Sequence, residues 1–331
     1  MTWRADGPAP PDPTDTGAVD ASEVLVEGPW RHRFVAANGA RFHVTEAGSG
    51  PLVLLLHGFP QFWWAWRHQL PAVAAAGFHA VAMDLRGYGA SDKPPRGYDT
   101  ATLAADVAGV VRALGESRAV VVGHDWGGWL AWSMPSLTPR VTRAVAAVSM
   151  AHPLEMRRSA FRRGGRGAGF ADVLGFQVPV RPERRLTVGD GVERVLREWS
   201  APAPPTGASP AREPFPGPEE LRRYRRAMRV PFVAHSSMEY YRWAVRSVPR
   251  QDGRRFAAAV RDPLGVPLLQ LQGDRDPYVV PDAALASHRW AGPHLRYELV
   301  GGAGHFLPEE APGAVTAALL GWLAELPPDA G

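Results

Sequence analysis

Gly123-His124-Asp125-Trp126-Gly127-Gly128 sets a carboxylate between small residues, after the apolar run Ala119 to Val122 and before a helix-like stretch. A strand that turns sharply into a helix needs flanking glycines, because larger side chains would clash, and the turn lifts the central side chain over the sheet's C-terminal edge. A serine at the centre would suit acyl transfer to water. A carboxylate suits displacement at saturated carbon, which leaves an alkyl ester on the protein. Asp125 is the candidate nucleophile; the plainer alternative is an Asp that caps a helix N-terminus.

Such an ester must be hydrolysed by water that a histidine activates and an acid orients. His305 lies in Gly301-Gly302-Ala303-Gly304-His305-Phe306, beyond the last apolar run, and Asp276 in Gly273-Asp274-Arg275-Asp276-Pro277, beyond the run before it. The order nucleophile, acid, histidine is that of α/β-hydrolases. Asp274 is the rival acid and Asp276 the preferred one, being deeper in its loop; a turn residue bonding its own backbone is the plain reading of Asp274. Water attacking the ester creates a tetrahedral anion. The backbone N–H groups of Trp126 and of Phe59, in His57-Gly58-Phe59-Pro60, are the expected oxyanion donors, and losing one such donor typically costs about 3 to 4 kcal/mol of barrier. His57, His124 and His152 are read as structural.

Parallel strands buried on both faces are required to hold these loops along one edge. Leu52 to Leu56, Ala80 to Met83, Ala119 to Val122, Ala144 to Ser149, Pro267 to Gln272 and Leu295 to Val300 are short apolar runs of that kind. Helix-like stretches at Phe62 to Ala76, Thr102 to Leu114, Asp282 to Trp290 and Pro312 to Leu323 alternate with them. Arg31 to Ala36 and Arg41 to Thr45, joined by Asn38-Gly39, read as a β-hairpin. The alternation predicts an α/β fold with a mostly parallel, doubly wound sheet. It breaks over a Pro-rich and Arg-rich stretch, read as an inserted helical cap. The expected division is a flexible leader over 1–27, core over 28–152, cap over 153–249 and core again over 250–331.

The composition excludes several classes. A chain of 331 residues that is 45% hydrophobic can bury a large core, and the absence of cysteine removes disulfides, thiolate catalysis and Cys-based metal sites. The net charge of +4 and the arginine clusters near 157, 162, 184 and 222 raise the question of nucleic acid. Lys93 is the only lysine, so arginine is the default cation here, and most of the clustered arginines alternate with acids on plausible helix faces. No stretch approaches the ~20 apolar residues of a membrane span, and the leader lacks the apolar segment of a signal peptide. A soluble, cytoplasmic protein that binds neither nucleic acid nor membrane is expected.

His57-Gly58-Phe59-Pro60, Asp84-Leu85-Arg86-Gly87-Tyr88-Gly89, the Asp125 turn and Gly304-His305-Phe306 together resemble the epoxide hydrolases of the α/β-hydrolase superfamily. The resemblance covers nearly all of the chain after the leader. It implies conversion of a small hydrophobic epoxide and water to a vicinal diol, with no metal or organic cofactor. In that family two cap tyrosines hold the epoxide oxygen. Tyr240-Tyr241-Arg242-Trp243 resembles one of their segments, which makes Tyr241 the carried-over donor and Tyr240 a packing residue. Phe176-Gln177-Val178-Pro179 resembles the other, and the tyrosine expected four residues earlier is Asp172; no tyrosine lies between Tyr98 and Tyr224. Phe59, Trp126, Phe176 and Phe306 are the expected substrate contacts. Haloalkane dehalogenases share the Asp turn and its tryptophan, but many have an asparagine where this chain has Phe59. Fluoroacetate-type dehalogenases have arginines where Trp126 and Trp129 stand. A hydrolase-fold protein with weak or lost turnover is the third alternative, motivated by the missing tyrosine.

Overall fold

The computed structural model describes residues 19–162, 168–202 and 215–327. One eight-stranded sheet organises them: β1 (Arg31–Ala37), β2 (Ala40–Ala47), β3 (Leu52–Leu56), β4 (His79–Met83), β5 (Ala119–His124), β6 (Thr142–Val148), β7 (Leu268–Gly273) and β8 (Leu295–Val300). Their spatial order is β1-β2-β4-β3-β5-β6-β7-β8. The β1–β2 and β2–β4 pairings are antiparallel, and the rest of the sheet is parallel. The β1–β2 turn uses Asn38 at φ 47° and Gly39 at φ 76°, the left-handed pair that a two-residue hairpin demands. All of β3 is buried, as the central position of an apolar strand between two helical layers requires.

Helices α1 (Gln69–Ala75), α2 (Thr100–Ala113) and α3 (Trp126–Leu137) connect the first strands. The single helix expected over Phe62 to Ala76 is instead a 3-10 turn, Trp63–Trp66, followed by α1. Pro71 explains the break: lacking an N–H, it fits only the first turn of a helix, so the helix begins at Gln69. Between β6 and β7 run α4 (Pro153–Arg162), α5 (Ala168–Gly175), α6 (Arg181–Thr187), α7 (Gly191–Trp199), α8 (Pro218–Arg229), α9 (Val233–Arg246) and α10 (Gln251–Ala259). Finally α11 (Pro281–Ala286), α12 (Leu307–Glu310) and α13 (Pro312–Glu325) flank β8.

The inserted helices bury one stripe and expose charge on the other. In α7, Val192, Val195, Leu196 and Trp199 are buried at helical spacing, while Arg194 and Arg197 pair with Glu198 and Glu193 on the outer face. Arg223 and Arg242 likewise pair with Glu219 and Glu183. Much of the arginine excess is thus spent within the fold.

The part of the expected leader that is described, residues 19–27, departs from expectation. Ala21–Val24 forms a 3-10 turn, Val19 and Val24 are buried in the main core, and the Trp63 indole donates to the Val24 carbonyl at 2.8 Å. Two valines separated by polar residues give no periodicity to read, yet they suffice to dock the segment. Among the described residues no helix is long and apolar enough to cross a membrane.

Candidate active site

Asp125, Asp276, His305 and Phe59 come from the C-terminal ends of β5, β7, β8 and β3, the edge where ligands bind in open α/β sheets. Asp125 has φ 48° and ψ −114°, a strained conformation for a residue with a side chain. Its neighbours explain how the turn persists. A Cβ at Gly123 would stand 1.9 Å from the Gly127 carbonyl oxygen, and one at Gly127 would stand 2.1 Å from that of Leu56. Only glycine fits at either position. Asp125 sits just before α3, whose N-terminal dipole favours a carboxylate there.

The Phe59 N–H donates to Asp125 Oδ2 at 2.9 Å, and Asp125 Oδ1 lies 3.4 Å from His305 Nε2. His305 Nδ1 donates to Asp276 Oδ2 at 3.0 Å. Asp276 is fixed in turn by the N–H groups of Tyr278 and Val279, both 2.8 Å from Oδ1, and by the Gln272 amide at 3.0 Å from Oδ2. Asp274 is elsewhere: its carboxylate is exposed and accepts from the Gly302 N–H at 2.6 Å. The His305 loop is tied down by Glu310, which accepts from the N–H groups of Gly304 and Phe306, and by the His305 N–H, which donates to the Trp199 carbonyl at 3.0 Å.

Charge follows from these contacts. Burial works against a proton on His305, but Asp276 and Asp125 outweigh it and push the imidazole up to about 10. Burial works against the Asp125 anion as well, and there His305 and the Phe59 N–H prevail, so the carboxylate titrates below its usual range. Both directions favour the charged pair, imidazolium beside carboxylate, over the neutral one. His124 stays neutral because burial takes it down to about 3; its Nε2–H donates to the His305 carbonyl at 2.8 Å. His57 accepts from the Leu85 N–H and donates to the Gly58 carbonyl.

Tyr241, on α9, reaches the same place. Arg242 next to it is buried and donates to the carbonyls of Phe176 and Val178 and to the carboxylates of Glu183 and Glu239, which clamps α9 on the Phe176 segment. The Tyr241 ring consequently lies 4.9 Å from Phe176, 5.1 Å from Trp126 and 5.4 Å from Phe59, centroid to centroid. Tyr240 faces away and donates to the Arg86 carbonyl at 2.7 Å. Phe306 is wholly buried against His124, Phe215 and Trp199. Asp125 Oδ1, His305 Nε2, Trp126 Nε1 and Tyr241 Oη are among the buried polar atoms here that make no hydrogen bond to protein. Buried groups of this kind need partners, and a bound molecule and water are the partners available to a site. Trp126 is the first residue of α3, where an N–H has no acceptor within the helix.

Two neighbours, Trp199 and Tyr278, escaped the sequence reading, and Asp172 has partners of its own. Asp172 pairs with Arg194 at 2.8 Å and accepts from the Trp199 indole at 3.2 Å, and Trp199 stacks on Tyr278 with centroids 4.1 Å apart. The signal for Trp199 was the i, i+3, i+4, i+7 stripe of α7. Tyr278, two residues past Asp276, could have been flagged as an aromatic beside the candidate acid.

Residues 51–312 match the α/β-hydrolase fold family. Epoxide hydrolase A of Mycobacterium tuberculosis is 36% identical over 320 residues, 89% of this chain and 97% of the relative. Among solved structures, epoxide hydrolase A from Mycobacterium thermoresistibile is 32% identical with a TM-score of 0.73, covering 90% of this chain and 99% of that one. An epoxide hydrolase from an endophytic Streptomyces is 33% identical with a TM-score of 0.75, covering 90% and 96%. The chain belongs to the α/β-hydrolase family, on the branch populated by epoxide hydrolases.

Proposed function

We propose that this protein opens a hydrophobic epoxide to a vicinal diol through a covalent ester on Asp125. One observation carries the reading: Asp125, steadied at Oδ2 by Phe59 N–H, has its other oxygen 3.4 Å from His305 Nε2, in a region where Tyr241 and Trp126 keep unpartnered donors. Burial and the nearby Asp125 carboxylate raise the Tyr241 phenol well above its usual range, so it remains a hydrogen-bond donor at neutral pH.

Asp125 attacks an epoxide carbon, the C–O bond breaks, and its electron pair passes to the oxygen, which takes a phenolic proton. The phenolate is made good by the proton of His305. That proton is loosened at this moment, because esterification neutralises one of the two carboxylates that held it. Neutral His305, oriented by Asp276, then takes a proton from water as the oxygen attacks the ester carbonyl. The tetrahedral anion is received by the N–H groups of Phe59 and Trp126. Collapse returns the Asp125 carboxylate, and the hydroxyl proton goes to the departing diol, which restores the resting ion pair. Phe59, Trp126 and Phe176 supply the apolar walls. The inserted helices act as the cap over 153–249.

Intact mass and peptide mapping of His305→Gln after incubation with styrene oxide test this. An adduct of the whole epoxide mass on the Asp125 peptide is expected, and single turnover of the unmodified protein in heavy-oxygen water should label Asp125 before the diol. The unpartnered Trp126 indole also fits a departing halide, which is the specific observation behind the dehalogenase alternative. Incubation with 1-bromohexane decides it: an alkyl adduct lacking bromine, with none from styrene oxide, replaces the epoxide reading.

A further inference from the structure

Tyr278 occupies the loop between β7 and α11, and its ring is wedged between the core and the inserted helices. Trp199 stacks on one face with an interplanar angle of 10°, and the His305 imidazole meets it edge-on at 4.9 Å. The backbone N–H of Tyr278 is anchored on Asp276, so the ring is positioned by the same carboxylate that orients His305. Tyr241 Oη makes no hydrogen bond to protein, and the Tyr278 phenol is near enough to it for each to influence the other's titration.

We propose that Tyr278 supplies a second phenolic hydrogen bond to the epoxide oxygen, beside Tyr241, in place of the tyrosine that position 172 lacks. This rests on the epoxide reading above. Asp172 then plays a different part: paired with Arg194, it holds the Trp199 indole, and Trp199 holds Tyr278. The inserted helices thus contribute one phenol and a brace, and the core contributes the other phenol. Burial, followed by the charge of Asp125, raises the Tyr278 phenol well above its usual range, which keeps it protonated. Its ring also meets the His305 imidazole edge-on, within the same cluster as the candidate nucleophile and acid.

The test measures single-turnover alkylation by styrene oxide in the His305→Gln background, where the adduct accumulates, and compares Tyr278→Phe and Tyr241→Phe. Phenylalanine keeps the stack on Trp199 and removes only the hydroxyl. Loss of one donor to developing negative charge predicts a limiting alkylation rate lower by ~100- to 1,000-fold in either variant, with the half-saturating concentration within about threefold of the parent. A merely structural tyrosine would leave the limiting rate within about threefold, and that result, with Tyr241→Phe slow, overturns the assignment while leaving the epoxide reading intact. Absence of any adduct in the His305→Gln parent sinks both.

Discussion

A Cβ atom placed on Gly58 would stand 2.4 Å from the Cβ of Asp125 and 2.6 Å from its Oδ2. Backbone therefore approaches the candidate nucleophile where a side chain would otherwise be, and this is what lets the Phe59 N–H reach the carboxylate. Gly58→Ala must push Asp125 aside or pull Phe59 away. A misplacement near 1 Å costs on the order of 100-fold in rate. The expected result is a folded protein, by near-UV circular dichroism, with styrene oxide turnover reduced at least that far. Turnover within a fewfold of the parent would mean that the Phe59 contact is not needed.

Asp276 and Asp274 stand two residues apart and do different things. Asp276→Asn keeps the shape of the side chain but removes the charge facing His305 Nδ1, so the loss should fall on ester hydrolysis, by ~100- to 10,000-fold, with adduct building up on Asp125. Asp274→Asn disturbs only an exposed turn that accepts from Gly302. Its turnover should remain within about threefold. Rapid-quench mass spectrometry distinguishes the two, and equal losses would remove Asp276 from its special place.

How these groups could be read in advance follows from the range of the forces that position them. The Asp125 turn is specified locally, because Gly123 and Gly127 are demanded by backbone contacts within a few residues, and such demands are written in consecutive letters. The strand order supplied His305 and Asp276, since loops at one edge of a parallel sheet converge whatever lies between them. Tyr278 and Trp199 each carry a local signal, but their pairing was not legible: the stack joins the loop after β7 to the end of α7, and nothing in either segment names the other. The docking of Val19 and Val24 was hidden for the same reason, as was the aromatic run from Phe62 to Trp66. That run is largely core, with Trp63 bonded to Val24 and Phe62 packed on Tyr224.

The His305 ion pair makes stability depend on pH in a defined direction. An imidazole raised to about 10 in the folded protein, from an ordinary 6.5 in the unfolded chain, binds its proton more tightly when folded. That stabilisation is complete below pH ~6.5 and drains away as the pH rises toward 10. His305→Gln should therefore show its largest loss of Tm near pH 6, with the gap to the parent narrowing steadily by pH 10. Scanning calorimetry across that range checks it. Parallel Tm curves would show that His305 carries no proton in the resting site.

Arg67 and Glu309 test how the insertion is fastened to the core. Glu309 is fully buried in α12, where it meets Arg67, the Gln61 amide and the Tyr224 hydroxyl from α8. Burial is the largest influence on it and takes the carboxyl up to about 7 in spite of Arg67. Glu309→Gln resembles the protonated acid and should cost no more than ~1 kcal/mol. Arg67→Met strands a carboxylate without its cation, and ~3 to 5 kcal/mol should be lost at pH 8, as for other buried pairs broken from one side. A carboxyl whose folded pKa exceeds its unfolded value costs nothing below about 4.5, and the cost grows from there up to the folded value, which losing Arg67 raises further. The Arg67→Met penalty should accordingly shrink between pH 8 and pH 5.5, while that of Glu309→Gln stays small at both. Urea unfolding at the two pH values measures this, and equal, pH-independent losses for the two variants would rule out charge as the fastener and leave packing alone.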